Sequence, residues 1–226
     1  MQIFSYLTLP LLITQINRVC KRFYHLIKHS AVFWTTIDFD VPLEVTNKKQ
    51  LDYILRHSHK FKIFRIGYAS LNVNVADIDI LFTHQLCKAK SLCWLDISKC
   101  KISTLCFLSN LNNVSIVNIS ECRNLVDDDF KVLYTCSKVD QLFVSFTKIS
   151  PATAVELSRH LNLVVYDVCG IKLKIEQCEE ILDNSYQTLL MFHISMIGDG
   201  IDEQSVDRRL RSVYLETSVY THRLHQ

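Results

Sequence analysis

Two stretches of this chain align without a gap: Ser91–Cys100, SLCWLDISKC, and Asn113–Cys122, NVSIVNISEC. The pairs Leu92/Val114, Leu95/Val117, Ile97/Ile119, Ser98/Ser120 and Cys100/Cys122 all lie 22 residues apart. The same order, apolar-x-x-apolar-x-apolar-small, returns three more times downstream. The copies are Val139, Leu142, Val144 and Ser145; Leu163, Tyr166, Val168 and Cys169; and Leu189, Phe192, Ile194 and Ser195. Upstream, Phe61, Phe64, Ile66 and Gly67 fit the order, as do Trp34, Ile37 and Phe39. From Ile37 onward the steps are 27, 31, 22, 25, 24 and 26 residues. A weaker copy is expected at Leu210, Val213 and Leu215.

This recurrence restricts the fold. Each copy carries x-apolar-x-apolar-x, the period of a strand with one buried face. The spacer leaves room for one helix. Ser150-Pro151 before ATAVELSRHL provides an N-cap and a proline at the first helical position. Asp127, Asp128 and Asp129 before FKVLYTC place acid at a helix N-terminus. The 31-residue step implies an insertion around Asn72–Asp79. A unit of this size cannot bury its own apolar face, so neighbours must stack. The expected fold is therefore α/β: a short solenoid with a curved parallel sheet inside and helices outside.

Composition narrows the function. The chain has 226 residues, 49% of them hydrophobic, enough to fill one or two domain cores. A formal net charge of +2 gives no overall electrostatic case for nucleic acid. There are four glycines, and neither GxGxxG nor GxxxxGK[ST] occurs, so a phosphate-cradling loop is not expected. The nine cysteines form no CxxC and no zinc-finger spacing, and an odd number cannot pair completely. They are expected to be free thiols in a reducing compartment, cytosol or nucleus. No metal and no cofactor are expected. Residues 1–17 carry no charged side chain, but they lack the basic start and small-residue end of a secretory signal. No stretch is long and apolar enough for a membrane span. Among the histidines, His57, His59, His222 and His225 fit exposed positions, and Asp167 with His193 is a weak candidate catalytic pair.

Residues before Trp34 follow another pattern. Leu12, Ile16, Val19, Phe23 and Leu26 or Ile27 recur at spacings of three and four, predicting an amphipathic helix over about 11–28. Arg18, Lys21, Arg22 and Lys28 lie mainly off its apolar face. His29-Ser30 is expected to end it, and Ala31–Trp34 to form the next turn.

The repeats resemble the cysteine-containing class of leucine-rich repeats. Cys100 and Cys122 occupy the repeat cysteine position, replaced elsewhere by Ala69, Thr147, Ile171 and Ile197. Lys101-Ile102-Ser103 and Lys148-Ile149-Ser150 match the segment that follows it, and Cys136 and Cys87 match the late helix cysteine. The N-terminal residues resemble the F-box: Ile3-Phe4-Ser5-Tyr6-Leu7, Val19-Cys20-Lys21-Arg22-Phe23-Tyr24, Leu26, Trp34 and Ile37-Asp38-Phe39 fall in that family's order. Residues 1–40 are then an F-box-like helical module whose first helix is incomplete. Residues 41–226 are about six or seven repeats with an irregular C-terminal tail.

The order F-box then leucine-rich repeats implies a non-catalytic substrate-recognition subunit of a Skp–cullin–F-box ubiquitin ligase. By this resemblance, Ile3, Phe4, Leu7, Pro10, Leu11, Ile16, Val19, Cys20, Phe23 and Trp34 would bind the Skp-type linker protein and, through it, a cullin–RING ligase. Alternate strand residues face the concave side, so Trp94, Asp96, Ile116, Asn118, Gln141, Phe143, Asp167 and His193 would meet a protein target. Trp94, Ile116 and Phe143 are expected to form an apolar stripe. The rival reading is a non-ubiquitin scaffold in which residues 1–40 only cap the solenoid.

Overall fold

The computed structural model describes residues 20–30, 32–39, 48–67, 73–194 and 218–221. Eight strands among them form one parallel sheet, each pairing with the next in sequence. They are β1 (Thr36–Asp38), β2 (Ile63–Arg65), β3 (Trp94–Asp96), β4 (Ile116–Asn118), β5 (Gln141–Phe143), β6 (Val165–Asp167), β7 (Met191–Ile194) and β8 (Ser218–Thr221). The expected α/β solenoid is the observed fold. Parallel neighbours require a crossover, and every crossover here is one repeat.

The repeat periodicity sets the register. Ile37, Phe64, Leu95, Val117, Leu142, Tyr166 and Phe192 stand opposite one another from β1 to β7, and all are 0% exposed. Beside them Ile66, Ile97, Ile119, Val144 and Val168 form a second ladder at 0%. Backbone bonds tie that ladder together: Ile97 N–H donates to Asn118 O (2.9 Å), Ile119 to Phe143 O (3.0 Å) and Val144 to Asp167 O (2.9 Å). The eighth strand departs from expectation. Val219, not Val213, lies opposite Phe192. A strand at Val213 would follow Phe192 by 21 residues, less than the shortest step of 22 elsewhere in the chain. Leu210, Val213 and Leu215 themselves lie outside the described residues.

The crossovers differ more than the strands. The long step holds a helix, α4 (Val75–His84), and a 3₁₀ turn at Leu86–Lys88, which accounts for the insertion expected there. Its earlier companions are α1 (Lys21–His29), α2 (Val32–Thr35) and α3 (Lys48–Leu55). The 22-residue step leaves room only for 3₁₀ structure at Cys106–Asn110. The triple aspartate starts α5 (Asp127–Phe130), which tightens into 3₁₀ at Lys131–Thr135. The last two are regular: α6 (Pro151–His160) and α7 (Ile175–Ser185). Ser150 caps α6, its hydroxyl accepting from Thr153 N–H at 3.2 Å with Pro151 next. Arg159 of α6 bonds both Glu156 in its own helix and Glu180 of α7.

The interior is aromatic at one end and aliphatic in the middle. Phe61, Phe64, Phe82 and Phe107 form a chain of ring contacts at 5.3, 6.3 and 5.4 Å between centroids. Trp34 closes the first layer. It is 0% exposed, stacked on His57 at 3.8 Å and edge-on to Tyr53 at 5.9 Å. His57 is thus half-buried rather than exposed. Tyr166 stands in the aliphatic ladder because its hydroxyl donates to Ala154 O at 2.9 Å. Burial pushes that phenol's pKa up.

Strands β3 to β6 end in the same turn. Cys100 N–H donates to Ile97 O, Cys122 to Ile119 O, Thr147 to Val144 O and Ile171 to Val168 O. The residue just before each of these four is left-handed: Lys99 (φ 62°), Glu121 (59°), Phe146 (55°) and Gly170 (80°). Only the last is the glycine that this geometry favours. A Cβ at Gly170 would come within 2.5 Å of the Phe146 ring, so the two positions are matched.

All nine cysteines are free thiols. Cys100 and Cys122 fill the core at the turn, where burial raises both thiols, Cys122 to about 12. Cys122 Sγ also donates to Ile97 O at 3.2 Å. Cys178 is likewise pushed up to about 12 by burial. These thiols act as small apolar groups, not nucleophiles.

Candidate protein-binding face

Residues alternating with the core ladder point to the other side of the sheet, and they form two rows. Thr36, Ile63, Trp94, Ile116, Gln141, Val165 and Met191 are in register in the first. From Ile63 to Met191 these side chains are all half-buried, and only Gln141 among them is polar. Asp38, Arg65, Asp96, Asn118, Phe143, Asp167 and His193 form the second.

The apolar stripe therefore differs from the one expected. Trp94 and Ile116 are direct neighbours, but Phe143 stands in the polar row. The stripe continues instead through Val165 and Met191, and begins at Ile63, which the sequence reading missed. Arg65 was missed as well. Its guanidinium lies over Trp94, 4.7 Å from the ring centroid, and bonds Asp38 Oδ2 at 2.7 Å. Its cation–π contact joins the two rows, and its ion pair lies within the second.

Several expected target contacts prove to be parts of the turn. Asp96 is only 5% exposed. Its Oδ1 accepts from Ser98 N–H (3.0 Å) and Ser98 Oγ (2.8 Å), and its Oδ2 from Asn118 Nδ2 (3.1 Å). Gly67 permits this, because a Cβ there would meet Ser98 Oγ at 2.0 Å and Asp96 Oδ1 at 2.5 Å. Asn118 Oδ1 accepts from Ser120 N–H at 3.1 Å, and Asp167 Oδ1 from Cys169 N–H at 3.0 Å. This is the Asx turn, one side chain bonding backbone two residues on. Ser98, Ser145 and Cys169 are buried beside it. Asp96 thus belongs to the turn's interior, while Asn118 and Asp167 are shared between turn and surface.

The structure brings Asp167 and His193 together at 3.9 Å, their side chains 18% and 25% exposed. The triple aspartate reads as capping. Burial tends to raise the Asp127 carboxyl, but bonds from Ser150 and Thr153 outweigh it and the pKa falls. Asp129 accepts from Val126 N–H at 2.9 Å, and Asp128 pairs with Lys131 at 2.5 Å. Among the described residues, no three His, Cys, Asp or Glu side chains are grouped to hold a metal ion. A cleft of about 80 Å³ opens between Leu108, Leu111, Val114 and Cys136. Nor is any described helix long and apolar enough to cross a membrane.

At the N-terminus, Ile3, Phe4, Leu7, Pro10, Leu11, Ile16 and Val19 lie outside the described residues. Cys20 is exposed just before α1, and Phe23 falls within α1. The helix ends at His29, as expected. Trp34 requires correction. It is completely enclosed by His57 and Tyr53, so its indole packs the first repeat and presents no surface to a partner.

The internalin C2 of Listeria monocytogenes str. 4b F2365, a solved structure, matches with a TM-score of 0.54. The match covers 85% of this chain and 84% of that one, at 15% identity. The fold is thus a leucine-rich-repeat-type solenoid. At that identity the likeness extends to fold alone. No protein-family model and no curated protein matches the chain.

Proposed function

We propose that this chain is a non-catalytic protein-binding solenoid whose open sheet face captures a protein target. One observation carries the reading: the row Ile63, Trp94, Ile116, Val165 and Met191 leaves apolar side chains half-buried on the face away from the helices. A tryptophan in such a position is a usual anchor of protein interfaces, and a contiguous exposed apolar row marks an interaction site.

Within that reading, the chain is the substrate-recognition subunit of a Skp–cullin–F-box ubiquitin ligase of the cytosol or nucleus. Residues 1–40 bind the Skp-type linker, and residues 41–226 hold the target. The support is the F-box-like order Ile3–Leu7, Val19–Tyr24 and Ile37–Phe39 ahead of the repeats. The chain itself does no chemistry: it accelerates ubiquitin transfer by proximity and orientation. The burial of Trp34 favours a second reading, in which the N-terminal module serves as the cap that a solenoid end requires.

Affinity purification of the tagged chain separates the two. Co-purification of a Skp-type protein and a cullin is expected for the ligase subunit. Their absence, with other partners still captured through Trp94, would leave the scaffold reading.

A further inference from the structure

The open sheet face has a charge as well as an apolar row. From β3 to β7 its outward residues include Asp96 and Asp167, and half-buried Asp140 stands just before β5. No Lys or Arg is among the outward residues of those five strands. His193 adds positive charge only when protonated. Asp96 and Asp167 accept from neutral donors, Ser98, Asn118 and Cys169, which leave the carboxylate charge in place. Asp140 Oδ1 is buried with no hydrogen-bond partner among the described residues.

The surrounding cations do not cancel these three carboxylates. One strand earlier, Arg65 is paired with Asp38, and exposed Lys62 stands just before β2. On the rim where the strands begin, Lys60, Lys90 and Lys138 are held along the rim by Lys28 O, Asn110 O and Asn113 Oδ1. The rim where the strands end carries both signs, with Lys99 and Arg123 sharing Glu121.

Spacing selects the conformation of an occupant. Neighbouring strands lie about 4.8 Å apart. A helix returns a side chain to one line every turn, about 5.4 Å, whereas alternate side chains of an extended chain recur at about 6.7 Å. A helix lying across the strands therefore follows the rungs more closely, and its width of about 10–12 Å covers both rows. The four steps from Trp94 to Met191 span about 19 Å, or about 13 residues of helix.

Resting on the protein-binding reading of this face, we propose that the target segment is a basic amphipathic helix lying across β3 to β7. Its apolar side meets Trp94, Ile116, Val165 and Met191. Lys or Arg on its flanks faces Asp140 on one side of the apolar row and Asp167 on the other. Complementary charge of this kind sets register and excludes wrong partners. The same field repels nucleic-acid phosphates and anionic lipid.

The test titrates the full chain, by anisotropy, with a fluorescein-labelled helical peptide of about 15 residues. It carries Leu at i, i+3, i+4 and i+7 and Lys on both flanks. Comparators replace every Lys by Gln or by Glu, or place Pro at the centre. At about 50 mM salt the Lys peptide should bind at least about tenfold tighter than the Gln peptide. The Glu and Pro peptides should not bind. Asp140→Asn with Asp167→Asn should bring the Lys peptide within about twofold of the Gln peptide; Asn keeps the acceptor that Cys169 N–H uses. Asp128→Asn with Glu176→Gln, at the starts of α5 and α7, should change nothing. Trp94→Ala should weaken the Lys and Gln peptides alike. Arg208→Ala, Arg209→Ala and Arg211→Ala together should leave the Lys peptide within about twofold; a gain in affinity would assign the face to this chain's own basic segment and overturn a partner helix. Equal binding of the Lys and Gln peptides, binding of the Pro peptide, or no binding at all overturns the basic-helix assignment alone. The protein-binding reading falls separately, if Trp94→Ala leaves the partners captured by the tagged chain unchanged.

Discussion

Gly170 and Phe146 illustrate how closely one residue constrains its counterpart a repeat away. At φ 80° an L side chain at position 170 is strained, and its Cβ would sit 2.5 Å from the Phe146 ring. Gly170→Ala should therefore cost about 2–4 kcal/mol, combining left-handed strain with overpacking. Adding Phe146→Ala should recover the packing part. Denaturant titration of the two single variants and the double variant measures the coupling; additive losses would mean that ring and glycine do not press on one another. His57 offers a pH test of comparable precision. Burial against Trp34, with Lys60, His59, Lys28 and His29 nearby, lowers its pKa from 6.5 to about 4. The unfolded chain takes up that proton near pH 6.5, while the folded one waits until about 4. Stability should fall as pH drops through this window, with no contribution above it. His57→Gln should flatten that segment of the stability curve, and an unchanged curve would show the ring is solvated.

Among the elements, the strands were readable and the crossovers only partly so. A period of two over five positions decides which side chains are buried, whatever lies between strands; hence Ile119 falls in the core ladder. Ile119→Ala should cost about 2–5 kcal/mol, and less than about 0.5 would refute the observed register. The crossovers obey weaker rules. A 22-residue step cannot hold a regular helix, and no residue type announces that. The left-handed turns were hidden because Lys99, Glu121 and Phe146 occupy positions where glycine would have marked them. The Asx turns were hidden because a polar residue on an open face reads equally as a ligand contact. Asp96 distinguishes these roles. Asp96→Ala leaves Ser98 N–H and the Asn118 amide short of a buried acceptor, and should cost about 1–3 kcal/mol. A drop in partner affinity without loss of stability would return Asp96 to the binding surface. Phe143 falls in the polar row because it is third in β5, whereas Trp94 and Ile116 are first in β3 and β4.

In the molecule as a whole, each strand pairs only with its sequence neighbours. Stability is then close to a sum of repeat and nearest-neighbour terms, and the ends are its vulnerable points. The chain's two tryptophans report on an end and on the middle separately. Trp34 is enclosed in the first layer, while Trp94 is half-buried on the proposed binding face. In a Trp94→Phe variant, emission from Trp34 should be blue-shifted and poorly quenched by acrylamide. In Trp34→Phe, emission from Trp94 should be red-shifted and readily quenched. Mild denaturant should expose Trp34 before Trp94 changes, because among the described strands β1 pairs on one side only. Binding of a target should alter Trp94 alone. Equal quenching of the two variants would mean that the strand faces are reversed, since the indole assigned to the open side would then be as enclosed as the one in the cap.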